Sequence, residues 1–179
     1  MRYWIFAIGF WALAATAGWA AESYIIVDNQ TGQILAAKDS NEKRQIASLT
    51  KIATAMVVLD AEEQRLINLG NEVEVPQQAV DTGGINQTGL QAGDVISIRD
   101  LLYSALLASD NVAAATLAYH VGRRLPNPTG LDSTGNFVAY LNALARTLGM
   151  KRTLFLNPHG IDNVEGELPF SCAADLARL

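Results

Sequence analysis

Two short apolar runs, "YIIV" and "ILAA", flank Asn29-Gln30-Thr31-Gly32, and Gly32 can take the positive φ that a tight turn demands. The pattern predicts a β-hairpin over residues 24–39, followed by a polar loop at 40–45. From Ile52 to Leu59 the chain is apolar except for Thr54, which marks a buried helix from about Ser48 to Glu63. "EVEVPQQAV" predicts a short strand ending at Pro76, and the Gly-rich stretch 81–94 a surface loop. Ser97 is placed to cap a helix through "IRDLLYSALLA". Ser109-Asp110-Asn111 interrupts that helix, which resumes over 112–122 and ends at Gly122. After a loop at 123–136, apolar residues at 137, 138, 141, 144, 145 and 148 trace one helix face, closed by Gly149. Residues 153–162 read as a short strand running into a turn. "SCAADLARL" (171–179) opens a helix that no Gly, Asn or Pro closes, as expected of a sequence cut inside its domain.

Composition narrows the classes. The chain has 179 residues, 50% of them hydrophobic and 17% charged, enough for one packed domain. A net charge of −5 without a basic stripe argues against a nucleic-acid partner. Cys172 is the one cysteine, so no intramolecular disulfide can form. It reads as a small buried hydrophobe rather than a reactive thiol. His120 and His159 lie far from any metal-binding partner pattern, so no metal site is expected. The first twenty residues differ from the rest: Arg2, an uncharged apolar run, and small residues at Gly18 and Ala20. This is the pattern of a secretory signal peptide over 1–20, with the mature chain 21–179 outside the cytoplasm. An uncleaved anchor is the alternative, although the run is at the short end for spanning a bilayer.

Candidate chemistry begins with a lysine in an apolar helix. Residues three apart share a helix face, so Ser48 and Lys51 are neighbours at the first turn. A serine hydroxyl needs an adjacent base, and an amine supplies one once burial lowers its pKa. The bland alternative is that Ser48 caps the helix while Lys51 reaches out to water. Ser109 and Asn111, 61 and 63 residues beyond Ser48, fall between two apolar helical runs. In one reading they simply cap the second helix. In the other, Ser109 relays a proton to a leaving group, while Asn111 holds a substrate amide and helps to orient Lys51.

With these motifs, the blocks "IASLTKIATAMVVLD", "IRDLLYSALLASDNVAAATLA", "FVAYLNALARTLGMKRTLFLNPHGID" and "FSCAADLARL" together resemble the D-alanyl-D-alanine carboxypeptidases, low-molecular-mass penicillin-binding proteins of the S11 serine peptidases. The resemblance runs from about Ser23 to Leu179. It implies Ser48 as the acyl-enzyme serine, Lys51 as general base, Ser109 as second active-site serine, and Asn111 as the substrate-binding asparagine. It implies a peptidoglycan stem peptide ending in D-Ala-D-Ala as substrate, β-lactams as inhibitors, and no metal or organic cofactor. The implied fold is mixed α/β (α+β), of the β-lactamase and transpeptidase type. A helical cluster packs on an antiparallel sheet with the serine at their junction, incomplete at the C-terminal side.

The sequence departs from the family in three places. The family's K-T-G motif does not occur. The strand bearing it would supply a carboxylate anchor, an edge for the peptide and the oxyanion N–H that joins that of Ser48, so the chain as given is expected to be nearly inactive and poorly folded. A C-terminal membrane anchor, frequent among relatives, would also lie beyond it. Asp110 and Val112 stand where Gly and Asp are frequent, and S-D-N also occurs in related D,D-endopeptidases and class A β-lactamases. Cys172 stands where Thr is more usual.

Three rivals remain. A class A β-lactamase would need an E-x-x-L-N loop, and "NVEGELPF" has Glu165 and Glu167 without that pattern. A Ser/His/Asp hydrolase would need a motif placing His120 or His159; His159 reads better as a turn residue. A non-catalytic peptidoglycan-binding module is the third.

Overall fold

The computed structural model describes residues 21–162, 166 and 168–179. The expected signal peptide, and Glu165 and Glu167, lie outside the described residues. The hairpin forms as the sequence predicts. Strand β1 (Tyr24–Val27) pairs antiparallel with β2 (Ile34–Lys38), Tyr24 opposite Lys38, with a bulge between Ile26 and Val27. Its turn is tied by the Asp28 carboxylate, which accepts from the Gln30 and Thr31 N–H groups and the Thr31 hydroxyl. Those bonds, the Thr31 hydroxyl first, hold the Asp28 carboxyl below its ordinary pKa. Gly32 takes φ +73° as expected.

Two helices form the middle of the molecule. Helix α1 (Thr50–Glu63) and helix α4 (Asn111–Gly122) bury residues around much of their circumference. Each therefore packs on several neighbours rather than offering one apolar stripe. Between them in sequence come β3 (Glu72–Glu74), α2 (Gln77–Gly83), β4 (Val95–Ser97) and α3 (Ile98–Leu107). Helix α5 (Ser133–Thr147) and the short α6 (Ala173–Leu176) follow. Small residues at 113, 114, 115 and 118 let neighbours approach α4 closely. A Cβ on Gly83 would stand 2.9 Å from Val112, and one on Gly122 only 1.9 Å from the Ser133 carbonyl oxygen. Val58, Leu101, Leu117, Phe137, Leu141 and Phe155 are the large apolar side chains of the main core.

The fold is α+β, as expected, with helices packed among two small antiparallel sheets, β1–β2 and β3–β4, in the described residues. Several expectations need correction. Residues 81–83, expected at the start of the 81–94 loop, instead end helix α2, and strand β4 lies where no strand is expected. The short strand expected before Pro76 forms as β3, Glu72–Glu74, whereas β4 has only three residues, too few for periodicity to register. Helix α5 starts at Ser133, not Phe137, because the Asp132 carboxylate caps it through the Gly135 N–H at 2.6 Å. Residues 153–162 form no strand. Leu154 makes one isolated bridge to Phe170, and the Asn142 amide takes both polar groups of Phe155, accepting its N–H at 3.0 Å and donating to its carbonyl at 2.7 Å. A side chain there does the work of a neighbouring strand. Ser48 is not a helix cap either: it lies in a 3₁₀ turn, Ala47–Leu49, that leads into α1 without a side-chain cap bond.

Candidate active site

The site is built from three pieces of chain. The 3₁₀ turn carries Ser48, and Lys51 follows on the first turn of α1. The break between α3 and α4 carries Ser109, which has φ +57°. A tight turn at 157–161 closes the third side. Its Asn157 carboxamide accepts the N–H groups of His159 and Gly160 and donates to the Ile161 carbonyl. Gly160, at φ +83°, is pressed so closely on the chain that a Cβ would fall 1.8 Å from the Ala47 carbonyl oxygen. The turn therefore packs directly on the residue preceding Ser48. The Thr54 hydroxyl fastens it further by donating to the Pro158 carbonyl at 2.7 Å.

These contacts bring three polar side-chain atoms into one triangle. Lys51 Nζ is 3.0 Å from Ser48 Oγ and 3.3 Å from Ser109 Oγ, and the two hydroxyl oxygens are 2.8 Å apart. Nζ also donates to the His159 carbonyl at 3.1 Å. Lys51 is 2% exposed, so its amine does not reach out to water. Burial lowers its pKa from the ordinary lysine value, and the Asp110 carboxylate partly opposes that shift. The His159 ring is lowered to about 4, first by burial and then by the Lys51 charge. Its Nδ1 accepts the Ile161 N–H at 3.2 Å, so the neutral ring carries its hydrogen on Nε2.

Asn111 opens α4 and is 6% exposed. No side-chain hydrogen bond joins it to Lys51 among the described residues, whose contacts to the amine are Ser48, Ser109 and His159. The cap of α4 is Asp110, through the Ala113 N–H at 2.8 Å. Sequence reasoning missed two participants. One is the His159 carbonyl, a backbone group 108 residues from Lys51 with no side-chain signature. The other is Asp110, whose carboxylate bears on the amine; the signal available was its place between Ser109 and Asn111. Cys172 is buried, and no cluster of three or more metal-binding side chains occurs among the described residues.

A cleft of about 450 Å³ opens on the triangle, lined by Ser48, Lys51 and Ser109 and by the apolar Ile46, Leu49, Ile52 and Leu106. A larger cavity, about 830 Å³, lies around Arg65, His120 and Arg124 and is lined by no serine, threonine or cysteine. His120 there bonds to the Glu74 carbonyl at 2.7 Å, and the cavity it lines offers no hydroxyl or thiol of the kind a Ser/His/Asp hydrolase needs. The cleft at the triangle has the means for acyl transfer: a hydroxyl, an amine whose protonated form burial disfavours, and a second hydroxyl in contact with both.

A family model described as D-alanyl-D-alanine carboxypeptidase matches residues 12–179. The chain is 31% identical over 157 residues to the D-alanyl-D-alanine carboxypeptidase DacF of Bacillus subtilis, covering 88% of this chain and 37% of that protein. It is 35% identical over 165 residues to a D-alanyl-D-alanine endopeptidase of Escherichia coli, covering 89% and 46%. The crystal structure of penicillin binding protein 6B from Escherichia coli superposes with a TM-score of 0.75 at 32% identity, covering 87% of this chain and 47% of that one. The chain thus spans less than half the length of each of these three.

Proposed function

The chain belongs to the D-alanyl-D-alanine carboxypeptidase family, and on that premise we propose that it carries the nucleophilic half of a serine D,D-peptidase site. The substrate is a peptidoglycan stem peptide ending in D-Ala-D-Ala, and β-lactams acylate the same serine. One observation carries the reading: Ser48, Lys51 and Ser109 close a hydrogen-bonded triangle around a buried amine.

The proton inventory follows from that geometry. A neutral Nζ has two hydrogens and one lone pair. With the hydrogens directed at the His159 carbonyl and at Ser109 Oγ, the lone pair is left for the Ser48 hydroxyl. Ser109 donates to Ser48 Oγ and supports the developing negative charge. As Ser48 attacks the penultimate D-Ala carbonyl, its proton passes to Lys51. Collapse of the tetrahedral intermediate then sends a proton through Ser109 to the departing D-Ala amine, and the Lys51 ammonium restores the Ser109 hydroxyl. Water hydrolyses the acyl-enzyme with Lys51 again as base. The Ser48 N–H serves as an oxyanion donor, and Asn111, at the head of α4, binds a substrate amide.

A fluorescent penicillin tests this. The expected result is one covalent adduct on Ser48, absent in Ser48→Ala. An unlabelled full-length protein, K-T-G strand included, would sink the reading in favour of a non-catalytic peptidoglycan-binding module. Similarity to named endopeptidases at 35% identity favours cross-link cleavage as a second activity of the same site. Free D-Ala release compared with cleavage of a cross-linked dimer separates the two.

Peptidoglycan lies outside the cytoplasm, so we place the protein in the periplasm or at the cell exterior, exported through residues 1–20. Among the described residues no helix is long and apolar enough to cross a membrane. Membrane association through a C-terminal region is part of the same proposal.

A further inference from the structure

The Ser109 turn carries a buried group that the acyl-transfer scheme does not use. Asp110 is 0% exposed, and both of its carboxylate oxygens are engaged. Oδ1 accepts the Ala113 N–H at 2.8 Å. Oδ2 accepts the Thr88 N–H at 2.8 Å and the Thr88 hydroxyl at 2.9 Å. Thr88 Oγ1 lies 3.0 Å from Ser104 Oγ, and the Asp110 N–H donates to the Ser104 carbonyl at 3.2 Å. Thr88 itself is exposed, in the loop between α2 and β4. An exposed loop residue therefore directs both of its donors to an enclosed carboxylate.

The residue before that carboxylate is strained. Ser109 is a non-glycine residue with φ +57°, a conformation that persists only where its surroundings over-determine it. Asp110 provides that constraint from both sides, bonding back to α3 through its N–H and forward to α4 through Oδ1. We propose that Asp110 is a positioning residue that locks Ser109 in contact with Ser48 and Lys51, and clamps the Thr88 loop to the same turn. The kinetic consequence rests on the acyl-transfer reading above; the clamp does not. Among the described residues the charged group acting on Lys51 is Asp110 at the head of α4, and the Lys51 charge in turn bears on the His159 ring in the 157–161 turn.

Two variants of the full chain separate the clamp from the charge. Asp110→Asn keeps an oxygen for Ala113 but turns an amide donor toward the Thr88 N–H. The Thr88 amide, left facing a donor, should then exchange hydrogen at least roughly tenfold faster, and by more than Ala113, which keeps a neutral oxygen acceptor. The Lys51 side chain, followed by NMR, should titrate at lower pH. The acid limb of penicillin acylation should move with it, and the plateau rate should fall. Thr88→Val keeps the carboxylate. Its plateau should fall and its loop amides exchange faster, with the acid limb unmoved. Wild-type Thr88 exchange together with wild-type acylation in Asp110→Asn overturns the proposal. Should that variant not fold, wild-type exchange and plateau in Thr88→Val overturn it instead. A full-length wild-type protein that penicillin does not acylate defeats the acyl-transfer reading, and the amide exchange and Lys51 titration still decide the clamp.

Discussion

An amine enclosed by protein must either find partners or give up its proton, and Lys51 does the first while leaning toward the second. Its three contacts are all oxygens, yet burial outweighs the Asp110 charge and lowers its pKa. Lys51→Arg keeps the charge and cannot supply a base, so penicillin acylation should fall by roughly 10²–10⁴-fold with the far-UV spectrum unchanged. The His159 ring next to it makes a separate, thermodynamic prediction. A folded-state pKa of about 4, below the ordinary 6.5, means that the unfolded chain binds the proton first as pH falls. Stability is thus complete above about pH 6.5 and declines toward pH 4, by at most ~3 kcal/mol from this group. Protonation at Nδ1 would also break the bond from the Ile161 N–H. Urea unfolding of wild type and His159→Gln at pH 7 and pH 4.5 should show this difference largely removed in the variant.

At the scale of elements, the helices are stopped and started by side chains that replace missing backbone partners. Asn136 on α5 donates to the Gly122 carbonyl at 2.9 Å and the Leu125 carbonyl at 3.2 Å, satisfying the end of α4 from a neighbouring helix. Asn136→Ala leaves buried carbonyls unpaired and should cost ~2–3 kcal/mol. Asp132→Ala removes the exposed cap of α5 and should cost only ~1 kcal/mol. Denaturant melts of the two variants should fall in that order, and equal losses would refute the account. Gly122 was legible as a helix end, but the reason for glycine there was not. It is the near-contact with the Ser133 carbonyl, across a loop of ten residues.

Across the whole molecule, the site depends on segments more than a hundred residues apart. The 157–161 turn reaches α1 through Thr54–Pro158 and Lys51–His159, and its closeness rests on Gly160. Gly160→Ala would force both a left-handed backbone and a clash with Ala47, at ~2–4 kcal/mol. Because Ala47 adjoins Ser48, acylation should fall as well, even in the folded fraction that circular dichroism reports. Thr54→Val cuts the second tie and should lower stability by ~1–3 kcal/mol through an unpaired Pro158 carbonyl. A Gly160→Ala protein with wild-type acylation would show that the turn supports the fold alone.

The local order of residues was enough to read the hairpin, the course of α1, α3 and α4, and the pairing of Ser48 with Lys51, because spacing along one helix is a short-range property. Ser109 and Asn111 were legible as a break between two apolar runs. Which atoms then meet was decided by tertiary structure. Burial lowers the Lys51 pKa, and the contacts that enclose the amine come from α1, the α3–α4 break and the 157–161 turn. The His159 carbonyl, the Asn142 amide standing in for a strand, and the Asp110–Thr88 clamp each join polar groups that local pattern leaves unconnected. A hydrogen bond between distant segments leaves no periodic trace in sequence, and only the folded chain brings its donor and acceptor within reach of one another.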